Sequence, residues 1–271
     1  VPRKFLSFRS VRTCLLLALC PLATGVFAQE PYLVKDLNAF GRDSNPRPGI
    51  VFQGEAYFSI FTDERGRELW RTDHGIGDTV SVFSFGVGTE SLPSSFFISG
   101  DVLYFSADDG ATGLELWRTD GTPEGTRLVR DLFPGFDFSG EPESSRPSNF
   151  FELGGRTYFT ARLDDFGSEF WVTDGTFEGT HPVADLYPGV GSGAFDPEPT
   201  RVGDAVFVEA NCGSLVDETY LCRATDSEPQ WVPVSPPLGL RDLTPFLDGV
   251  AFAADDRTGF GTELWYSDGT L

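Results

Sequence analysis

Pairs of neighbouring carboxylates recur along the chain at Asp63-Glu64, Asp108-Asp109, Asp164-Asp165, Asp217-Glu218 and Asp255-Asp256. Hard cations such as calcium prefer oxygen ligands, and "DDGATG" from Asp108 and "DDRTG" from Asp255 set carboxylates beside flexible glycine. Asp108, Asp109, Asp164, Asp165, Asp255 and Asp256 are therefore candidate calcium ligands, with a solvated acidic face the favoured reading. That face is favoured because none of these stretches follows the twelve-residue EF-hand pattern. Glycoside hydrolysis would also use two carboxylates, about 5 to 10 Å apart across a pocket. Five near-equivalent loops describe no single catalytic centre, so the chain is expected not to be an enzyme. His74 and His181 lack a second His or Cys at ligand spacing, which argues against zinc. No nucleophile elbow, P-loop or dinucleotide fingerprint occurs.

The elements that position these carboxylates repeat with them. "ELWRTD" from Glu68, "ELWRTDGTPEGTRLVRDLFPG" from Glu115, "EFWVTDGTFEGTHPVADLYPG" from Glu169 and "ELWYSDGTL" from Glu263 are variants of one phrase. Its third residue marks Trp70, Trp117, Trp171, Cys222 and Trp265, at intervals of 47, 54, 51 and 43 residues, the period of a propeller blade or a similar array. Each unit offers four strand candidates separated by turn residues; in the third these are "NFFEL", "RTYFTARL", "SEFWVTD" and "HPVADLY". No stretch sustains a helical period. A lone four-stranded meander cannot cover both of its apolar faces, so neighbouring units must stack. The 26 phenylalanines read as the bulk of that stacking rather than as a ligand cage. Asp-Gly-Thr reads as a hairpin device: Gly tolerates a positive φ and Asp bonds to backbone two residues on.

These units resemble the bacterial ELWxxDGT repeat family, through Glu115 to Gly135, Glu169 to Gly189 and Glu263 to Thr270. The first unit departs at "TDHG" and the fourth at "YLCRATDS". The resemblance implies a secreted or surface-associated β-propeller-like protein and brings no catalytic residues with it. The expected fold is all-β, a five-bladed propeller of four-stranded antiparallel meanders. Closure is expected through "PYLVKDL", Pro31 to Leu37, which matches the fourth strand of other units and would pair beside Glu263 to Trp265. The alternative is a fragment of a longer propeller or repeat array.

Residues 1–28 read as a secretory signal peptide, with Arg3, Lys4, Arg9 and Arg12, then an apolar run and Val26-Phe27-Ala28, leaving residues 29–271 as one propeller domain. In an exported chain Cys212 and Cys222 are expected to form a disulfide. A net charge of −21 disfavours nucleic acid and anionic membranes. The functional expectation is a secreted, monomeric, non-catalytic binding or adhesion module for an unknown glycan or protein ligand, in the periplasm, outside the cell or at its surface. The alternatives are a glycan-active enzyme with carboxylates in the propeller channel, and a purely structural surface repeat.

Overall fold

The computed structural model describes residues 44–73, 78–86, 93–164, 167–184, 199–210, 212, 218–236, 238–255, 259 and 261–270. Among them there is no helix, and the strands form five antiparallel sheets in chain order. The first sheet holds β1 (Arg47–Phe52), β2 (Glu55–Thr62), β3 (Gly66–Thr72) and β4 (Val80–Gly86). The second holds β5 (Ser94–Ser99), β6 (Val102–Asp108), β7 (Leu114–Thr119) and β8 (Arg127–Arg130). The third holds β9 (Ser148–Leu153), β10 (Arg156–Asp164), β11 (Gly167–Thr173) and β12 (His181–Ala184). The fourth holds β13 (Thr200–Val202), β14 (Ala205–Ala210), β15 (Tyr220–Thr225) and β16 (Val232–Pro233). The fifth has three described strands, β17 (Gly239–Phe246), β18 (Gly249–Asp255) and β19 (Thr262–Ser267). Each sheet is an up-and-down meander whose strands pair in chain order.

The marker residues share one register. Trp70 lies opposite Phe58, Trp117 opposite Phe105, Trp171 opposite Phe159, Cys222 opposite Val208 and Trp265 opposite Phe252. Cys222 thus stands where the other units place tryptophan, and the disulfide expected from sequence joins it to Cys212, with 6.1 Å between their Cα atoms.

Because side chains alternate across a strand, adjacent residues of Glu-Leu-Trp point to opposite sheet faces. Leu116 packs into the cluster between the second and third sheets, with Phe159 and Trp171, whereas Trp117 packs between the first and second, with Phe85 and Leu103. The residue at the leucine position faces the following sheet and the tryptophan faces the preceding one. Phe170 and Cys222 extend this pattern across the third and fourth sheets, and Leu221 across the fourth and fifth. Leu69, Leu116 and Leu221 are completely buried, but Leu264, at the same position of the fifth sheet, is 83% exposed. Among the described residues nothing covers that face; Pro31 to Leu37, expected to complete the sheet, lie outside them.

The Asp-Gly-Thr turns have two roles. Asp120 Oδ1 accepts from the Thr122 amide at 3.0 Å and its hydroxyl at 2.7 Å, and Asp174 repeats this with Thr176. These bonds hold both carboxyls below the usual range. The glycines then meet the preceding unit. Gly175, at φ +83°, leaves room where a Cβ would lie 2.6 Å from Arg118 Nη1 and 2.8 Å from the Tyr104 hydroxyl, and its carbonyl accepts from Arg118 Nη1 at 3.2 Å. Gly121, at φ +93°, gives the same room to the Tyr57 hydroxyl. Absence of a side chain is needed there for close approach as well as for backbone conformation.

The facing rule is testable by truncation. Leu116→Ala is expected to lower unfolding free energy by roughly 2–5 kcal/mol, the range for a leucine lost from a packed core. Leu264→Ala is expected to change it by less than about 0.5 kcal/mol, as at an exposed site. Urea denaturation of both variants checks this, and equal losses would refute the rule.

Candidate functional site

The connection from the second to the third sheet, residues 131–147, gathers the features of a site. Its base is set by the glutamate of the repeated triplet. Glu115 is completely buried, and its carboxylate accepts from the Leu132 amide at 2.9 Å, the Ser145 amide at 2.8 Å and the Ser145 hydroxyl at 2.5 Å. One side chain therefore clamps both ends of the loop between them. Buried carboxylates require such donors because water is not there to solvate them. Burial still outweighs the three bonds and pushes the Glu115 carboxyl up to about 7.

Above the clamp the loop is braced from two sides. The Leu114 amide donates to Ser144 Oγ at 3.0 Å and the Arg146 amide to the Leu114 carbonyl at 3.0 Å. Gly113, at φ +74°, lies so close to the Glu143 carbonyl that a Cβ would strike it. Within the loop, Asp137 Oδ1 accepts from the Ser139 amide at 2.8 Å, the Ser139 hydroxyl at 2.7 Å and the Glu141 amide at 3.0 Å. The Asp137 amide donates to Glu141 O at 2.8 Å, the Glu143 amide to Gly135 O at 3.1 Å, and Phe136 bridges antiparallel to Pro142. The result is a small hairpin that displays Phe136 and Phe138 outward, with Glu141 exposed beside them.

The acidic hairpin between β6 and β7 lies against this loop. Asp108 Oδ1 accepts from the Gly110 amide at 2.7 Å, and Asp109 Oδ1 from the amides of Ala111 and Thr112 at 2.9 Å each and the Thr112 hydroxyl at 3.0 Å. Asp131, just past β8, is half-buried; its Oδ1 is buried and accepts no hydrogen bond among the described residues. Desolvation raises its pKa, a hydrogen bond from the Phe133 amide opposes this, and the charge of Asp109 adds to the rise.

The other candidate calcium ligands are placed unevenly. Asp164 and Asp255 end the second strands of their sheets, and Asp165 and Asp256 lie outside the described residues. Among the described residues no three His, Cys, Asp or Glu side chains form a metal-binding group. A cleft of about 510 Å³ opens at the hairpin between β15 and β16, lined by Arg223, Thr225, Ser227, Glu228, Gln230 and Val232. Sequence reasoning gave no role to Glu115 or Asp131 and placed Phe136 and Phe138 in the core. The signal for the phenylalanines was their setting in "FPGFDFSGEP", among turn formers rather than in a strand.

No family model matches the sequence, and no curated relative does. Similar solved structures include a puromycin hydrolase, at 15% identity over 79% of this chain and 34% of that one, with a TM-score of 0.47. TolB from Acinetobacter baumannii shares 12% identity over 79% and 52% of the two chains, with a TM-score of 0.38. An alpha-L-arabinofuranosidase from Clostridium thermocellum shares 10% identity over 81% and 84%, with a TM-score of 0.31. The chain spans 34% of the length of the puromycin hydrolase. At these identities and TM-scores the likeness assigns no reaction, and the all-β architecture rests on the five antiparallel sheets themselves. Two of these three structures are hydrolytic enzymes by name, against the expectation that this chain is not an enzyme. Recurrence of a hairpin does not make its copies equivalent: among the described residues the second unit braces its acidic hairpin against a loop that exposes Phe136 and Phe138.

Glu115 gives the site a pH dependence. Its pKa is about 7 when folded against 4.5 for the free side chain, so folding takes up a proton between these values. The stability it contributes is complete below the lower value and lost as pH rises through the upper one. The melting temperature is expected to fall between about pH 5 and about pH 8, and Glu115→Gln to flatten most of that slope. Asp131 and Glu209, raised by burial in the same sense, leave the remainder. Thermal unfolding across this range checks it; an unchanged slope in the variant would refute the assignment.

Proposed function

We propose that the chain is an extracytoplasmic, glycan-active protein of the propeller type, acting on hydroxyl-rich chains at the loop end of the second and third sheets. The observation that carries this reading is the buried Oδ1 of Asp131, without a partner among the described residues, at the start of a loop that exposes Phe136 and Phe138. Asp131 is a carboxyl that desolvation keeps protonated to higher pH, and Asp109 is a second carboxylate held by its own turn. A carboxyl group that burial keeps protonated can serve as a general acid. In the proposed reaction Asp131 gives its proton to the glycosidic oxygen as the bond to the anomeric carbon breaks. A water molecule adds its hydroxyl to that carbon and passes its proton to Asp109, and exchange with solvent restores both groups. The disulfide supports a location outside the reducing cytoplasm, and the resemblance to secreted ELWxxDGT repeats agrees with it.

The test is release of reducing sugar from xyloglucan, arabinan and beta-1,3-galactan by the purified chain. The expected result is turnover on at least one of them, with a rate that falls as pH rises and Asp131 loses its proton. Asp131→Asn is expected to reduce the rate at least about a hundred-fold, the lower range for a general acid, while retaining polysaccharide binding. Absence of turnover on all three, or full turnover by the variant, would sink this reading.

A further inference from the structure

Most large aromatic side chains of the described residues are buried between sheets or covered at the surface. Arg162 lies over the Phe133 ring at 5.1 Å and Arg130 over the Phe177 ring at 4.6 Å. Phe136 and Phe138 differ. Phe136 is 71% exposed and Phe138 wholly so, and neither stacks on an aromatic ring or a guanidinium among the described residues. Single exposed apolar side chains are ordinary, but two phenylalanines one residue apart on a hydrogen-bonded hairpin form a patch held ready. Three bonds to Asp137 and the clamp at Glu115 fix the backbone that carries them, so a ligand would lose little of its binding energy to ordering the loop.

The chemistry of the patch selects its ligand. Phenylalanine has no polar handle, so each ring offers only a face, which takes a flat array of C–H groups. The same loop carries the carboxylates of Glu141, exposed, and Glu143, half-buried, which accept hydrogen bonds and repel anions. A ligand that fits both has an apolar ring face and hydroxyl donors around its edge. Pyranose sugars whose substituents are equatorial have that form, because their axial hydrogens make a flat C–H surface; furanose rings do not. A net charge of −21 disfavours acidic polysaccharides and nucleic acids at the same place.

Resting on the glycan-active reading above, we propose that Phe136 and Phe138 are the stacking platform of a subsite for neutral pyranose chains with equatorial hydroxyls. The platform lies on the same connection as Asp131 and would choose glucan- or xylan-type backbones over arabinan.

The test is affinity electrophoresis of the full chain through gels containing hydroxyethyl cellulose, xylan or arabinan. The comparison set is Phe136→Ala/Phe138→Ala, Phe136→Trp and the parent, with thermal unfolding to confirm that the exposed substitutions leave the fold intact. The expected result is retardation of the parent by the first two polymers and not by arabinan, an affinity about ten-fold weaker in the double alanine variant, and retention by the tryptophan variant. Equal retardation of the parent and the double variant overturns the platform while leaving the glycan reading standing. No retardation of the parent in any gel overturns both. Sedimentation of the parent with phosphatidylcholine vesicles, lost in the double variant, assigns the loop to a lipid surface and also overturns the proposal.

Discussion

A four-stranded antiparallel sheet of this sequence has two apolar faces and no means of covering either by itself. The burial that holds the molecule together therefore arises between sheets, each cluster drawing side chains from two consecutive units. The alternation of Leu and Trp in the repeated triplet makes this stacking directional, because one residue reaches forward and the other back. Stability accumulates from interface to interface, as in other repeat proteins. The loops at the sheet ends are then free to differ without disturbing the packing.

The glutamate preceding that pair links packing to display. In the second unit its buried carboxylate fastens Leu132 and Ser145, so the loop between them starts and ends on the core. In the first unit Glu68 instead accepts from Thr62 and Ser81 within its own sheet. In the fourth unit Tyr220 stands at the triplet's glutamate position, and Glu209 on the neighbouring strand accepts from Thr219 and the Leu240 amide. A buried acid thus ties strand to connection in different ways, and only in the second unit does that tie carry an aromatic hairpin among the described residues.

Much of the strand order was legible in the sequence because each strand's boundaries are marked by Gly, Asp and Pro, and because the repeat supplied internal alignments. The register of Cys222 with the tryptophans followed from spacing, and the disulfide from two cysteines in a chain read as exported. What escaped was chemistry that depends on contacts distant in sequence. Asp120 and Asp174 could be read as turn residues from their neighbours, but the contacts of Gly121 with Tyr57 and of Gly175 with Arg118 exist only once two units have stacked. Phe136 and Phe138 were indistinguishable in composition from the core phenylalanines; their exposure comes from the short turn that holds them. Asp131 recurs in the strand motif, and nothing in its sequence neighbours announces that its Oδ1 is buried.

The docking of each turn glycine onto the preceding unit also bears on how such a chain can grow. The first, second and fourth units present a tyrosine or an arginine to the next unit's turn, at Tyr57, at Tyr104 with Arg118, and at Arg223. A unit that carries both the glycine and its receiving side chains is complementary to a copy of itself. Duplication of the second unit would create a junction that already fits, whereas the junction of the third and fourth relies on Asp226 accepting from the Gly154 amide, with Arg201 holding its other oxygen. Gene lengthening or shortening in whole units would be tolerated at the first kind of boundary and resisted at the second, so the array should vary in length between lineages without drifting in period.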